Sequence, residues 1–245
     1  MIDDIVDHVF KLFSKSLLPE LELNRARYVE ELKLLQIYCK SGNILDIGSG
    51  LGIVPLCLAK MNYNVTAVDK WEHVAVTLQG KESPKDVIDR LKRNGVKCYK
   101  INVLKQSLPF KANIFDCVAL LAIIEHFNRS PKYMLSEANR VIKRGGILIL
   151  STPNHANLFN RFKFFFGRSV HPPIEYWWGD RKNFEGHYRE YTLKEVCWML
   201  EKSRFKILET RITSSMQKQN KMIYVLENLL PAKYRYWMEI VAKKK

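Results

Sequence analysis

Residues 44–52, ILDIGSGLG, constrain the fold of this chain more than any other segment. Ile44, Leu45 and Ile47 make a short apolar run of strand type. Gly48, Gly50 and Gly52 then let the backbone turn tightly and approach a ligand where side chains would collide. A helical stretch begins at Ile53, and a second apolar run over residues 64–68 ends in Asp69, whose carboxylate can accept two hydrogen bonds from ribose hydroxyls. Strand, glycine turn, helix, strand and acid in this order read as a nucleoside-cofactor site. The spacing argues against two common alternatives. A dinucleotide fingerprint wants a small residue where Ile53 stands, and a phosphate-binding P-loop wants Lys and Ser or Thr where the chain has Ile53 and Val54.

The pattern extends along the chain. Ile2, Ile5, Val6, Val9, Phe10, Phe13 and Leu17 recur at helical spacing, and residues 28–39 predict a second amphipathic helix. From Asn43 onward, strand-like and helix-like segments alternate as far as residues 193–202 and 205–209. Such alternation predicts an α/β fold: a Rossmann-like, doubly wound, mainly parallel sheet with helices on both faces. At 245 residues and 47% hydrophobic content the chain suits one elaborated domain. It divides into N-terminal cap helices (1–40), a cofactor-binding core (43–152), an insert (153–186), a last helix-strand unit (187–212) and a basic amphipathic C-terminal segment (213–245).

Four motifs in order carry a family resemblance. Besides the glycine loop with Asp46 before it, NIFDCVALLAIIEHF (113–127) resembles a fourth strand ending in "EH". RVIKRGGILILSTPN (140–154) resembles an "RVLKPGG" turn and fifth strand, and GHYREYT (186–192) resembles an "H-R-x-Y-T" segment. Together they are similar to the class I S-adenosylmethionine (SAM) dependent methyltransferases. The chain departs from that pattern at Asn102, where the family often has Asp, and at Arg144, where it has Pro. The resemblance implies SAM as cofactor and S-adenosylhomocysteine as product. It also implies a cofactor set of Asp46, Gly48, Ser49, Gly50, Gly52, Asp69, Lys70, Trp71, Asn102, Val103, Leu121 and Glu125. Asp46 would face the ammonium group of the cofactor, Asp69 the ribose, and Asn102 with Val103 the adenine. Trp71 would either stack near the adenine or sit in the core.

Methyl transfer from a sulfonium is an in-line displacement that rests on alignment and exclusion of water, so no covalent residue is expected. His126 and His187 are candidate bases for a hydroxyl acceptor, each with a structural role as the alternative. His126, Tyr176, Trp177, Tyr188 and Arg189 are the candidate acceptor-binding residues. Arg189 could instead pair with Glu190 or Glu185. No metal-ligand spacing groups the histidines with acids, and no catalytic metal is expected.

The insert holds nine aromatic residues between Phe159 and Phe184, consistent with a substrate lid or an aromatic subdomain core. Residues 221–245 interleave Met222, Leu226, Leu229, Trp237 and Val241 with lysine and arginine, a stripe that could pack on its own domain, meet a second subunit or lie on an anionic membrane. Lys243, Lys244 and Lys245 read as a frayed tail. The net charge of +15 favours an anionic partner without naming it.

Five scattered cysteines read as reduced core residues, and the acidic N-terminus lacks the basic start of a signal peptide; a cytoplasmic monomer or homodimer is expected. The leading reading is O-methylation of a small-molecule, glycan or lipid-linked acceptor. Methylation of RNA by way of the basic surface, and SAM binding without transfer, are the alternatives. The segment of exocyclic-amine methylation is missing after strand four, which reads AIIEHF, and Cys117 follows Asp116 where a cytosine-C5 nucleophile would follow Pro, so these nucleic-acid chemistries are disfavoured.

Overall fold

The computed structural model describes residues 1–72, 82–171, 173–178, 186–214, 225 and 228–245, without the side chains of Tyr176 and Trp177. Helices α1 (Ile2–Phe10) and α2 (Leu18–Tyr38) precede β1 (Asn43–Ile47), α3 (Ile53–Lys60), β2 (Asn64–Asp69), α4 (Pro84–Arg93) and β3 (Lys97–Lys100). Then come β4 (Phe115–Leu121), α5 (Lys132–Val141), β5 (Ile142–Pro153), α6 (Leu158–Phe165), α7 (Glu175–Trp178), α8 (Leu193–Lys202), β6 (Phe205–Thr213) and β7 (Trp237–Lys244).

The strands form one seven-stranded sheet in the order β3-β2-β1-β4-β5-β7-β6. The first five are parallel, and β7 runs antiparallel to both of its neighbours. Alternation along β1 explains the two layers: Ile44 joins a core with α1, α2, α3 and α4 on one face, while Leu45 and Ile47 join a core with α5 and α8 on the other. Asp116 ties the base of the sheet together by accepting from the Asn43 amide at 2.8 Å and pairing with Lys143 at 2.7 Å. Among the described residues no helix is long and apolar enough to cross a membrane. All five cysteines are free, three of them buried.

The second half of the C-terminal segment packs on its own domain, one of the three placements open to its apolar stripe, and does so as a strand. Trp237, Met238, Ile240, Val241 and Ala242 are buried in β7 between β5 and β6, and burial of each large apolar side chain is worth about 1.5–3 kcal/mol. Lys243 and Lys244 are strand residues too, and Lys244 Nζ donates to Asn113 Oδ1 and to the Ile142 carbonyl. The expected frayed tail therefore reduces to Lys245. Met222 and Leu226 of the stripe lie outside the described residues, as do residues 73–81.

The glycine loop also differs from its expectation. A Cβ at Gly48 would fall 2.1 Å from the Ile123 side chain, and one at Gly52 would fall 2.7 Å from that of Leu91. Both glycines are needed for packing within the protein. At Gly50 a Cβ would meet nothing within 4 Å, so of the three loop glycines this one has open space beside its backbone. We expect Gly52→Ala, at φ +82° and against Leu91, to cost roughly 2–4 kcal/mol in chemical denaturation, compared with about 1–2 kcal/mol for Gly50→Ala. Equal losses would refute the packing role.

Glu239 is a buried acid in the middle of β7, opposite Ser151 on one side and Arg211 on the other. Neither carboxyl oxygen has a hydrogen-bond partner among the described residues. Burial, then the charges of Glu31 and Glu30, push its pKa up to about 8 from an ordinary 4.5. A carboxyl that binds its proton more tightly folded than unfolded supports the fold fully below the unfolded pKa, and that support is lost as pH rises through the folded one. Glu239→Gln should therefore raise the melting temperature at pH 8.5 by roughly 2–4 °C or more, with the gain shrinking toward pH 4.5. A pH-independent difference in a calorimetric series would remove the buried carboxyl as its cause.

Candidate functional site

The sheet order reverses between β1 and β4, and the carboxyl ends of these two strands open a crevice. The loop after β1 is held by its own backbone: Gly48 N–H donates to the Val68 carbonyl at 2.8 Å and Gly52 N–H to the Ser49 carbonyl at 2.8 Å. Ser49 Oγ donates to the Asp46 carbonyl at 3.1 Å. Asp69, at the end of β2, accepts from Gly50 N–H at 2.9 Å and from Trp71 N–H at 2.8 Å.

A cavity of about 480 Å³ lies in the crevice. Asp46, Gly48, Ser49 and Gly50 form one side, Leu121, Glu125 and His126 the end of β4, and His187 the far rim. Helix α2 lies across it with Arg27, Tyr28 and Glu31, and Tyr236 and Trp237 close it from the start of β7. The Arg27 guanidinium sits 4.9 Å from the Tyr28 ring and 5.0 Å from the Trp237 ring. Its buried Nε has no hydrogen-bond partner among the described residues.

Three carboxyls are buried around this cavity. Glu31 accepts from Ser151 Oγ at 2.6 Å; burial pushes its pKa up, against the pull of Arg27. Burial pushes Asp46 up to about 7. Glu125 accepts from Thr152 Oγ1 at 2.9 Å, and burial pushes it to about 7 despite nearby His187. The Glu125 carbonyl accepts from Tyr188 N–H at 2.8 Å and Arg189 N–H at 3.2 Å, which fastens the GHYREY segment to the end of β4.

His126 and His187 meet edge to face with ring centroids 4.9 Å apart. His126 Nδ1 lies 3.2 Å from the Gly186 carbonyl, and His187 Nδ1 lies 2.8 Å from Glu190 Oε1. Burial opposes a charged His187, yet the Glu190 hydrogen bond and the Glu125 charge outweigh it and raise its pKa. One donor atom from each of Glu125, His126 and His187 lies within 4.8 Å of the others. No local ligand spacing marks this trio, because its third member comes from a distant segment.

Several expected residues lie elsewhere. Trp71 is 2% exposed, belongs to the core and donates its indole N–H to the Gly50 carbonyl at 3.0 Å; it braces the loop and offers no face for stacking. Asn102 Oδ1 already accepts from Leu104 N–H at 3.1 Å, closing a turn, and Val103 packs on the core. Lys70, directly after β2, is exposed. Tyr188 and Arg189 line a neighbouring cavity, and Arg189 pairs with Glu195 at 2.8 Å, a partner different from either acid expected. The side chains of Tyr176 and Trp177 lie outside the described residues. Sequence reasoning missed Arg27, Tyr28 and Glu31; Arg27 and Glu31 are four apart on α2, a spacing that also describes an ordinary solvated ion pair.

The family model of the methyltransferase domain matches residues 45–150. Over 113 residues the chain is 34% identical to a ubiquinone biosynthesis O-methyltransferase of Rickettsia canadensis, covering 45% of this chain and 42% of that protein. The chain thus spans about half the length, or less, of the curated relatives it matches. Among solved structures, a SAM-dependent methyltransferase of Thermotoga maritima, described as a possible histamine N-methyltransferase, superposes with a TM-score of 0.60. It is 18% identical, and the match covers 97% of this chain and 99% of that one. The 1,6-didemethyltoxoflavin-N1-methyltransferase of Burkholderia thailandensis, solved with its substrate and S-adenosylhomocysteine, gives a TM-score of 0.53 at 16% identity over 84% of this chain and 72% of that one. The sequence match over the glycine loop and β4–β5, on a sheet of this order, makes residues 45–150 similar to the methyltransferase-domain family.

Proposed function

We propose that this chain transfers a methyl group from SAM to an oxygen of a small-molecule, glycan or lipid-linked acceptor. The observation that carries the reading is the charge arrangement of the switch-point cavity, which complements an amino-acid zwitterion. Arg27, with its unpartnered Nε, suits a carboxylate, while Asp46 and Glu31 suit an ammonium group. SAM supplies a methyl group on a positively charged sulfur. Arg27 and Asp46 hold its amino-acid end beside the open backbone at Gly50, and Leu121 forms an apolar wall. Asp69 takes the ribose hydroxyls with the lone pairs left by Gly50 and Trp71, and Asn102, Val103 and Lys70 border the base. The bound S-adenosylhomocysteine of the Burkholderia protein and the O-methyltransferase relatives support the cofactor and the oxygen acceptor.

His187 takes the acceptor proton at Nε2, because Glu190 occupies Nδ1, orients the ring and favours its protonated form. His126 orients the acceptor at the rim. A second reading rests on the convergence of Glu125, His126 and His187: a divalent cation there would polarise the acceptor oxygen in place of base catalysis. Full activity after exhaustive chelation supports the first reading, and loss restored by added metal supports the second.

Incubation with methyl-labelled SAM and fractionated extract tests the acceptor class. Label in a small-molecule, glycan or lipid fraction is expected. Nuclease-sensitive label would favour RNA, and no transfer alongside tight S-adenosylhomocysteine binding would favour a binding module. Arg27→Met should weaken S-adenosylhomocysteine binding roughly 10- to 100-fold by calorimetry, the worth of a charged hydrogen bond. His187→Asn should keep that affinity within about twofold and lower kcat by roughly 10²–10⁴. Unchanged turnover in His187→Asn would leave alignment alone as the source of rate.

A further inference from the structure

Helix α6 is amphipathic in the wrong sense for water. Its asparagines face inward: Asn157 caps it by accepting from Asn160 N–H at 2.9 Å and donates to the Asn154 carbonyl at 2.7 Å, and Asn160 donates to the His155 carbonyl at 3.0 Å. Both asparagines are buried. The apolar residues face outward. Phe164, Phe165 and Phe166 are 78%, 80% and 69% exposed, and Phe159 and Phe162 about half. Ile174 and Trp178, further along the insert, are exposed as well. The expectation of an aromatic subdomain core is therefore not met by the described aromatics of α6. A contiguous exposed patch of this size calls for an apolar neighbour.

The charges around the patch select that neighbour. Arg161, Lys163 and Arg168 are interleaved with the phenylalanines, residues 155–174 contain no acid, and the whole chain carries +15. A second copy of the same face would bring like charges together. An anionic lipid surface attracts all three cations while its interfacial zone receives the aromatic rings. We propose that the outer face of α6 docks on the surface of an anionic phospholipid bilayer, with the phenylalanines entering the headgroup region and Arg161, Lys163 and Arg168 meeting the phosphates. The contact is peripheral and does not depend on methyl transfer.

Co-sedimentation of the full chain with vesicles tests this directly. Vesicles of phosphatidylcholine with phosphatidylglycerol should bind at least about tenfold more tightly than phosphatidylcholine alone, and salt should weaken the binding. The triple variant Phe162→Ser/Phe165→Ser/Phe166→Ser should lose binding by roughly two orders of magnitude. Lys163→Gln/Arg168→Gln should lose roughly tenfold or more on the anionic vesicles alone. Both variants should retain the circular dichroism and S-adenosylhomocysteine affinity of the parent. Equal binding to both vesicle types, absence of binding, or a triple variant that binds like the parent would overturn the proposal. So would a concentration-dependent dimer that the triple variant abolishes, since the face would then be a protein interface.

Discussion

The buried ion set beneath α2 is the constraint on which the site depends. Arg27 interacts with Glu31 and Glu125, two carboxyls that burial alone would neutralise. Asp46, on the other side of the cavity, has no such partner among the described residues: Glu31 and Asp69 add to its burial penalty, and its pKa rises to about 7. A buried carboxyl without a counter-charge destabilises its ionised form. In the proposed reading an ammonium group at Asp46 would supply that counter-charge, and a carboxylate would pair with Arg27, whose Nε has no partner among the described residues. The cavity is thus electrostatically incomplete in the way that a zwitterionic ligand would complete.

This arrangement needs a rigid support, because each charge lies on a different element. Asp46 belongs to β1, Glu125 follows β4, and Arg27 and Glu31 belong to α2. The Ser151–Glu31 hydrogen bond ties α2 to β5, and Thr152–Glu125 ties the end of β4 to the next residue of the same strand. β7 contributes by adding an antiparallel partner along β5 from Ile147 to Pro153, which brings Trp237 against the Arg27 guanidinium. The same strand brings in Glu239, an acid whose burial is offset by neither a hydrogen bond nor a close pair among the described residues.

What was legible in the sequence were the features set by local pattern. Glycines at alternate positions after an apolar run give β1 and its loop, and continuous apolar runs give β4 and the second half of β5, because parallel strands are buried on both faces. β7 escaped for the same physical reason in reverse. With six consecutive buried residues including Glu239, its sequence shows no alternation, and Trp237, Met238 and Val241 fit a helical spacing equally well. Gly48, Gly52 and Trp71 were singled out correctly as special positions, but their partners, Ile123, Leu91 and the Gly50 carbonyl, are tertiary and carry no local signal. Arg27 and Glu31 were invisible for the converse reason: charged residues on a helix announce solvent unless the neighbouring element is known.

Glu190 links the two ends of the insert. Its Oε1 holds His187, while its Oε2 accepts from Asn160 Nδ2 at 3.3 Å. Asn160 is one of the two inward-facing asparagines that turn the phenylalanines of α6 outward. The polar contacts that expose the aromatic face are therefore the same contacts that orient the histidine. A shift of α6 would disturb the Glu190 carboxylate and, through it, the ring at the cavity rim. In this fold the burial of two amides, an ordinary satisfied hydrogen-bond arrangement, couples an outward apolar surface to the most chemically capable side chain of the site.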